Sequence, residues 1–112
     1  MTPSIRVSLI EIRITAPDTE VADRIASALV AQRLAACVQQ LPRITSTYTW
    51  EGATERAEEI LLLAKTTTDR FDDVCVAILD LHPYQTPEIL AVPVEKALTA
   101  YRDWVLDSVR PD

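Results

Sequence analysis

The sequence predicts a two-layer α+β fold, with helices covering one face of a four-stranded antiparallel sheet. Three observations carry this. Strand-like and helix-like apolar periods alternate along the chain in the order β-α-β-β-α-β-α. The two middle strands are joined by a tight turn at Glu51-Gly52, which makes them a hairpin. Two βαβ halves joined by a hairpin give the ferredoxin-like plan, and right-handed crossovers place both main helices on one face. An extra C-terminal helix completes the order.

Residues 5–15 alternate like a strand. Ile5, Val7 and Leu9 share one face, whereas Ile10, Ile12 and Ile14 share a face after a phase slip that a bulge would accommodate. Ala16-Pro17-Asp18 ends this strand, and Asp18 is the expected N-cap of the first helix, with Glu20 suiting its positive end. That helix runs to about Arg33, with Val21, Ile25, Ala28 and Leu29 as its core stripe. Residues 34–50 read as a long strand with Tyr48 and Trp50 on one side and Thr47 and Thr49 on the other. Pro42 within it predicts a bulge or an edge position. Gly52 supplies the positive φ of the turn, and the return strand spans about 56–67. Its run Ile60-Leu61-Leu62-Leu63-Ala64 is apolar throughout, as in a strand buried on both faces. Thr68 or Asp69 is expected to cap the second helix, which stops before His82-Pro83 and buries Phe71, Val74, Ile78 and Leu81. A short strand follows at 88–94, and Thr99 is the expected cap of the last helix, which carries Tyr101, Trp104 and Val105.

Composition narrows the function classes. The 112 residues are expected to form one domain, 1–112, with an ordinary globular balance of 48% hydrophobic and 25% charged residues. A net charge of −6 argues against nucleic acid or an anionic membrane as partner, since both need clustered Lys and Arg. No apolar run approaches the roughly 20 residues that span a bilayer. The first residues show no signal-peptide pattern, so a cytoplasmic protein with reduced Cys37 and Cys75 is expected. One His and two Cys rule out a Cys₂His₂ or Cys₄ zinc site, and a single glycine rules out P-loop and G-x-G-x-x-G phosphate cradles. No nucleophile signature accompanies His82, so no enzymatic activity is expected.

The hairpin strands exceed the mean length of roughly 5–6 residues and outrun strand 88–94. Their ends are expected to pair outside the monomer, giving an oligomer built through the sheet. The segments Thr15-Ala16-Pro17-Asp18, Leu34-Ala35-Ala36-Cys37-Val38, Ser46-x-Tyr48-x-Trp50-Glu51-Gly52, Lys65-Thr66-Thr67, His82-Pro83-Tyr84-Gln85-Thr86-Pro87-Glu88-Ile89 and Tyr101-x-x-Trp104 resemble, in order and spacing, the CutA family of divalent-cation tolerance proteins. The resemblance covers nearly the whole chain. It implies a cytoplasmic, PII-like homotrimer, linked to tolerance of copper and other divalent ions and without an attached enzymatic reaction. Some members of the family it resembles ligate copper through a Cys just before the Thr-Ala-Pro-Asp segment and a pair of His before Pro-Tyr. Here Ile14 and Leu81 stand at two of those positions, so His82 is left as a weak candidate ligand for copper(II) or another divalent cation.

Around this resemblance the residues suggest further sites. Lys65, Tyr84 and Glu88 are expected to line an intersubunit ligand cleft with His82, and such a cleft would favour a PII-like small-ligand sensor as an alternative. Tyr48, Trp50 and Trp104 are candidates for the trimer interface. The second helix is apolar most of the way round. Cys75, Val76 and Leu79 lie off its core stripe, and the first helix adds the small or apolar Ala22, Ala26 and Val30. These six residues form a candidate interface for a second protein, natural or created by design, which would make the chain an assembly component. The competing reading turns the second helix so that Val76 and Leu79 point inward.

Overall fold

The elements of the chain, seen in a computed structural model that describes residues 7–111, follow the expected order. They are β1 (Leu9–Ala16), α1 (Thr19–Ala31), β2 (Cys37–Trp50), β3 (Ala53–Thr67), a 3₁₀ turn (Thr68–Arg70), α2 (Phe71–Leu81), β4 (Ile89–Pro93) and α3 (Thr99–Ser108). The strands form one antiparallel sheet in the order β2-β3-β1-β4. Ile10, Ile12 and Ile14 of β1, with Leu62 and Ala64 of β3, pack against Ile25 and Leu29 of α1 and Val74 and Ile78 of α2. All are at most 4% exposed, and each large side chain contributes about 1.5–3 kcal/mol by leaving water.

The opposite face carries Glu11, Arg13 and Thr15 from β1, Leu61, Leu63 and Lys65 from β3, and Leu90 and Val92 from β4. Helix α3 covers only one end of it. Its Val105 and Val109 are buried, and its C-terminal carbonyls accept hydrogen bonds from Arg33 and Arg70. This explains the phase slip in the first strand. Leu9 and Ile10 are both 4% exposed because both faces are covered there, and β1 keeps an unbroken register with β3 from Leu9↔Thr67 to Ala16↔Ile60. The expected bulge is absent from β1. The strand starts at Leu9, so Val7 lies before it and Ile5 falls outside the described residues.

Other boundaries shift. Strand β3 begins at Ala53, three residues before the expected start, because the type I′-like turn needs only Glu51 (φ 49°) and Gly52 (φ 81°). Asp18 caps α1 as expected, its Oδ1 accepting the Val21 N–H at 2.9 Å. Neither Thr68 nor Asp69 caps α2; the 3₁₀ turn intervenes and the cap position falls on Arg70 without a side-chain bond. Thr99 is the first residue of α3 rather than its cap, which is Leu98.

The helical layer decides the phase of α2. Val74 and Ile78 are buried, whereas Val76 is 69% and Leu79 53% exposed, so the inward-turned alternative is excluded. Val30 is exposed beside them. Two residues of the expected partner patch do not belong to it: Ala22 is fully buried and Ala26 packs against the core, because both fall on the same helical stripe as Ile25 and Leu29. Cys75 is half-buried.

Pro42 marks both features expected of it. Strand β2 is an edge strand, and its register with β3 jumps between Leu41↔Leu61 and Ile44↔Glu59, which is a one-residue bulge with Arg43 at φ 61°. An extra residue inverts side-chain alternation. Before the bulge, odd-numbered residues of β2 face away from the helices; after it, Ile44, Ser46, Tyr48 and Trp50 do, on the same face as Glu59.

Candidate functional site

That inversion builds a cleft. The outer half of the hairpin, the C-terminal end of β1 and the loop after α2 enclose about 640 Å³. Ser46, Tyr48 and Trp50 form one wall, Thr15 and Glu59 the floor, and Tyr84 and Glu88 the other wall. The volume lies within the roughly 300–1,000 Å³ usual for small-molecule sites.

His82 positions the loop. It is 7% exposed, and its Nε2–H donates to the Thr15 carbonyl at 2.7 Å while its Nδ1 accepts the Tyr84 N–H at 3.1 Å. These two bonds fix the neutral Nε2–H tautomer. The Tyr84 ring lies 4.7 Å from the imidazole, tilted by 53°, and reaches over the cleft. Burial pushes the Tyr84 phenol above its ordinary pKa, with the negative charges of Glu59 and Asp18 adding to the effect. The phenol therefore stays protonated and available as a donor.

Two of the three residues expected in a cleft with His82 are brought together there, Tyr84 and Glu88; His82 stands behind them as support. Within one chain Lys65 is apart from them. It sits six residues from Glu59 along β3, about 20 Å away at strand rise. Its Nζ donates to Glu11 Oε2 and Gln39 Oε1, both at 3.0 Å. The neighbouring hydroxyls are also committed, Thr66 to the Leu34 carbonyl and Thr67 to Asp69. Tyr48 and Trp50 are 45% and 61% exposed at the cleft and along the hairpin, and Trp104 is 48% exposed on α3, its ring tilted by 40° against Tyr101.

The donors implied for copper do not fit that ion. Both ring nitrogens of His82 are engaged within the chain, and Ile14 and Leu81 offer none. Among the described residues no group of three or more His, Cys, Asp or Glu side chains is placed to hold a metal.

Glu59 is the residue whose importance the sequence concealed. It stands at the head of the apolar run Ile60–Ala64, in phase with Leu61 and Leu63, so its side chain belongs to the sheet face opposite α1 and α2. That alternation was the available signal. Pro42 signalled a bulge, but that one extra residue brings Tyr48 and Trp50 to the same face was readable only from the register.

Residues 10–108 match the family described as CutA1 divalent ion tolerance protein. The divalent-cation tolerance protein CutA of Thermus thermophilus is 46% identical over 95 residues, covering 85% of this chain and 92% of that protein. Protein CutA of Mus musculus is 40% identical over 92 residues; the match covers 82% of this chain and 52% of the mouse protein, so the chain spans about half of that relative. The crystal structure of CutA from Xylella fastidiosa superposes with a TM-score of 0.90 at 40% identity, covering 92% of this chain and 99% of that one.

Proposed function

Because the chain belongs to the CutA1 divalent ion tolerance family, we propose that it serves divalent-ion tolerance as a non-enzymatic, cytoplasmic homotrimer of single-domain subunits. One observation supports assembly most directly. The sheet face left open by α3 exposes apolar side chains, with Leu41 45% and Leu90 43% exposed. The hairpin projects far enough to give the subunit extents of 54 × 26 × 26 Å. A monomer would leave this surface and the free edge of β2 in water. Tyr48, Trp50 and Trp104 are the aromatic residues we assign to the contacts between copies. No helix of the described residues is long and apolar enough to cross a membrane.

The chemistry of tolerance here does not run through His82. A buried imidazole with both nitrogens bonded is a positioning group for the 82–88 loop, and its conversion to a ligand would break the bond to Thr15 or to Tyr84. Native mass spectrometry with and without stoichiometric copper(II) tests both parts. Three copies of 12.5 kDa, a 37.5 kDa particle, with no discrete copper added, is the expected spectrum. A monomer sinks the trimer reading, and three tightly bound ions sink the structural role of His82. Restored growth of a copper-sensitive host on expression of the chain is the expected cellular outcome; no restoration counts against a role in tolerance.

A further inference from the structure

We infer that the trough between α1 and α2 seats an amphipathic helix of another protein, with apolar side chains laid between the two helices and a Lys or Arg against Asp80. The trough encloses about 540 Å³ and is lined mainly by apolar residues. Ala28 of α1 and Ala77 of α2 border it half-buried, and a methyl group in each place leaves the space open. Val76 and Leu79 stand beside them, largely exposed, on the side of α2 turned away from the core residues Val74 and Ile78. Single exposed apolar residues are ordinary, but two of them bordering an apolar depression form a surface ready for a partner. The inference rests on the trimer reading in one respect. α1 and α2 pack on the sheet face opposite Leu41 and Leu90, so a trimer closed through that other face and the hairpin leaves the trough outward.

Charge says what kind of partner fits. Between Phe71 and Leu81, α2 carries the exposed Asp72, Asp73 and Asp80 and no Lys or Arg. Asp73 pairs with Arg70 at 3.6 Å, and on α1 Arg24 is paired with Glu20. No hydrogen bond or ion pair engages Asp80 among the described residues, although it lines the trough. Asp80 also stands in the last turn of α2, where the helix presents its negative end, so its own helix disfavours its charge. A cation brought by a partner offsets both the charge and the helix end. A second copy of this chain does not, since laying α2 on its mate across a two-fold axis turns aspartates toward aspartates. A helix with apolar anchors at i, i+3 and i+4, flanked by Lys or Arg, satisfies the apolar trough and the acidic rim together. Three such troughs on one trimer would let weak individual contacts act in concert.

The test uses the intact purified protein and synthetic peptides of about 14 residues, long enough to form a helix on binding. One has Leu at i, i+3, i+4 and i+7 and Lys elsewhere, the second replaces Lys by Glu, and the third scrambles the first, keeping its charge without an apolar face. Binding is followed by the methyl resonances of Val76 and Leu79, with those of Leu90 on the opposite sheet face as control. The Leu/Lys helix is expected to saturate the shifts and to bind about tenfold or more tightly than either of the others. Asp80→Asn should weaken it by about two- to fivefold. Val76→Ser with Leu79→Ser should weaken it by about tenfold or more and leave the oligomer unchanged. No saturable binding of the Leu/Lys helix, or equal binding of the scrambled or the Glu peptide, would overturn the proposal. So would a wild-type particle of twice the trimer mass that the serine variant reduces to the trimer, because a second copy would then cover the trough. A serine variant that loses the trimer would place the trough between subunits and overturn it as well. The mass of the wild type judges the trimer reading separately, whereas the peptide arms judge the trough.

Discussion

Glu11 and Lys65 face each other across β1 and β3, each side chain about one-fifth exposed, with Gln39 closing the group from β2. The hydrogen bond from Lys65 holds the Glu11 carboxyl below its ordinary value of 4.5 despite partial burial. The folded state therefore binds this proton less readily than the unfolded chain. The stability it contributes is present above pH 4.5 and is lost as pH falls through the lower folded value. Urea denaturation from pH 7 to pH 3 should show that loss. Lys65→Met should lower stability at pH 7 and flatten the acid limb; an unchanged limb would mean that other carboxylates set it. Asp18 shows how legible a residue can be, since a cap depends only on its immediate neighbours. Glu59 and His82 show the reverse. Their roles depend on Tyr48, Thr15 and Tyr84, which are close only after three elements have packed.

The elements with unusual geometry lack the residue that geometry favours. The chain has one glycine, and Arg33, Arg43 and Glu51 occupy positive φ without it. Arg33 ends α1 in the left-handed position, where the Leu34 N–H reaches back to the Leu29 carbonyl at 2.9 Å. At the β2 bulge, Arg43→Gly should leave stability unchanged or raise it by up to about 1 kcal/mol, whereas Arg43→Val should cost about 1–2 kcal/mol. Thermal unfolding of the two variants checks this, and a costly glycine would mean that the Arg43 side chain itself holds the bulge. Gly52 has open space where a Cβ would sit, so Gly52→Ala should cost only its backbone strain, about 1 kcal/mol. On α2, the exposed Val76 and Leu79 predict that Val76→Glu with Leu79→Lys shifts stability by no more than about 0.5 kcal/mol. A fall of several kcal/mol would place those side chains in an interface between copies. The helix stripe was legible because it repeats every 3.6 residues. The second apolar strip beside it was ambiguous for the same reason, since composition alone does not say which of two apolar faces meets the sheet.

At the scale of the whole molecule, two sheet faces have different fates. One is closed by α1 and α2, and the other is capped only at one end by α3, with Leu41, Leu90 and the hairpin aromatics left to other copies in the proposed trimer. Leu90→Asp on that open face should convert a 37.5 kDa particle to the 12.5 kDa subunit in light scattering. An intact trimer carrying this charge would move the interface away from β4. The order of elements, the antiparallel sheet and the overlong hairpin were determined by the sequence itself, because apolar period, turn chemistry and crossover handedness are local or nearly local constraints. The CutA family is likewise written in short segments whose order and spacing survive in the linear chain. Tertiary structure alone decided the site. A one-residue bulge turned Tyr48 and Trp50 toward Glu59, strand register set Lys65 apart from Tyr84 and Glu88 within one chain, and packing consumed both nitrogens of His82. Each depends on which atoms meet across distant segments, and side-chain direction in a strand reverses with every residue of register.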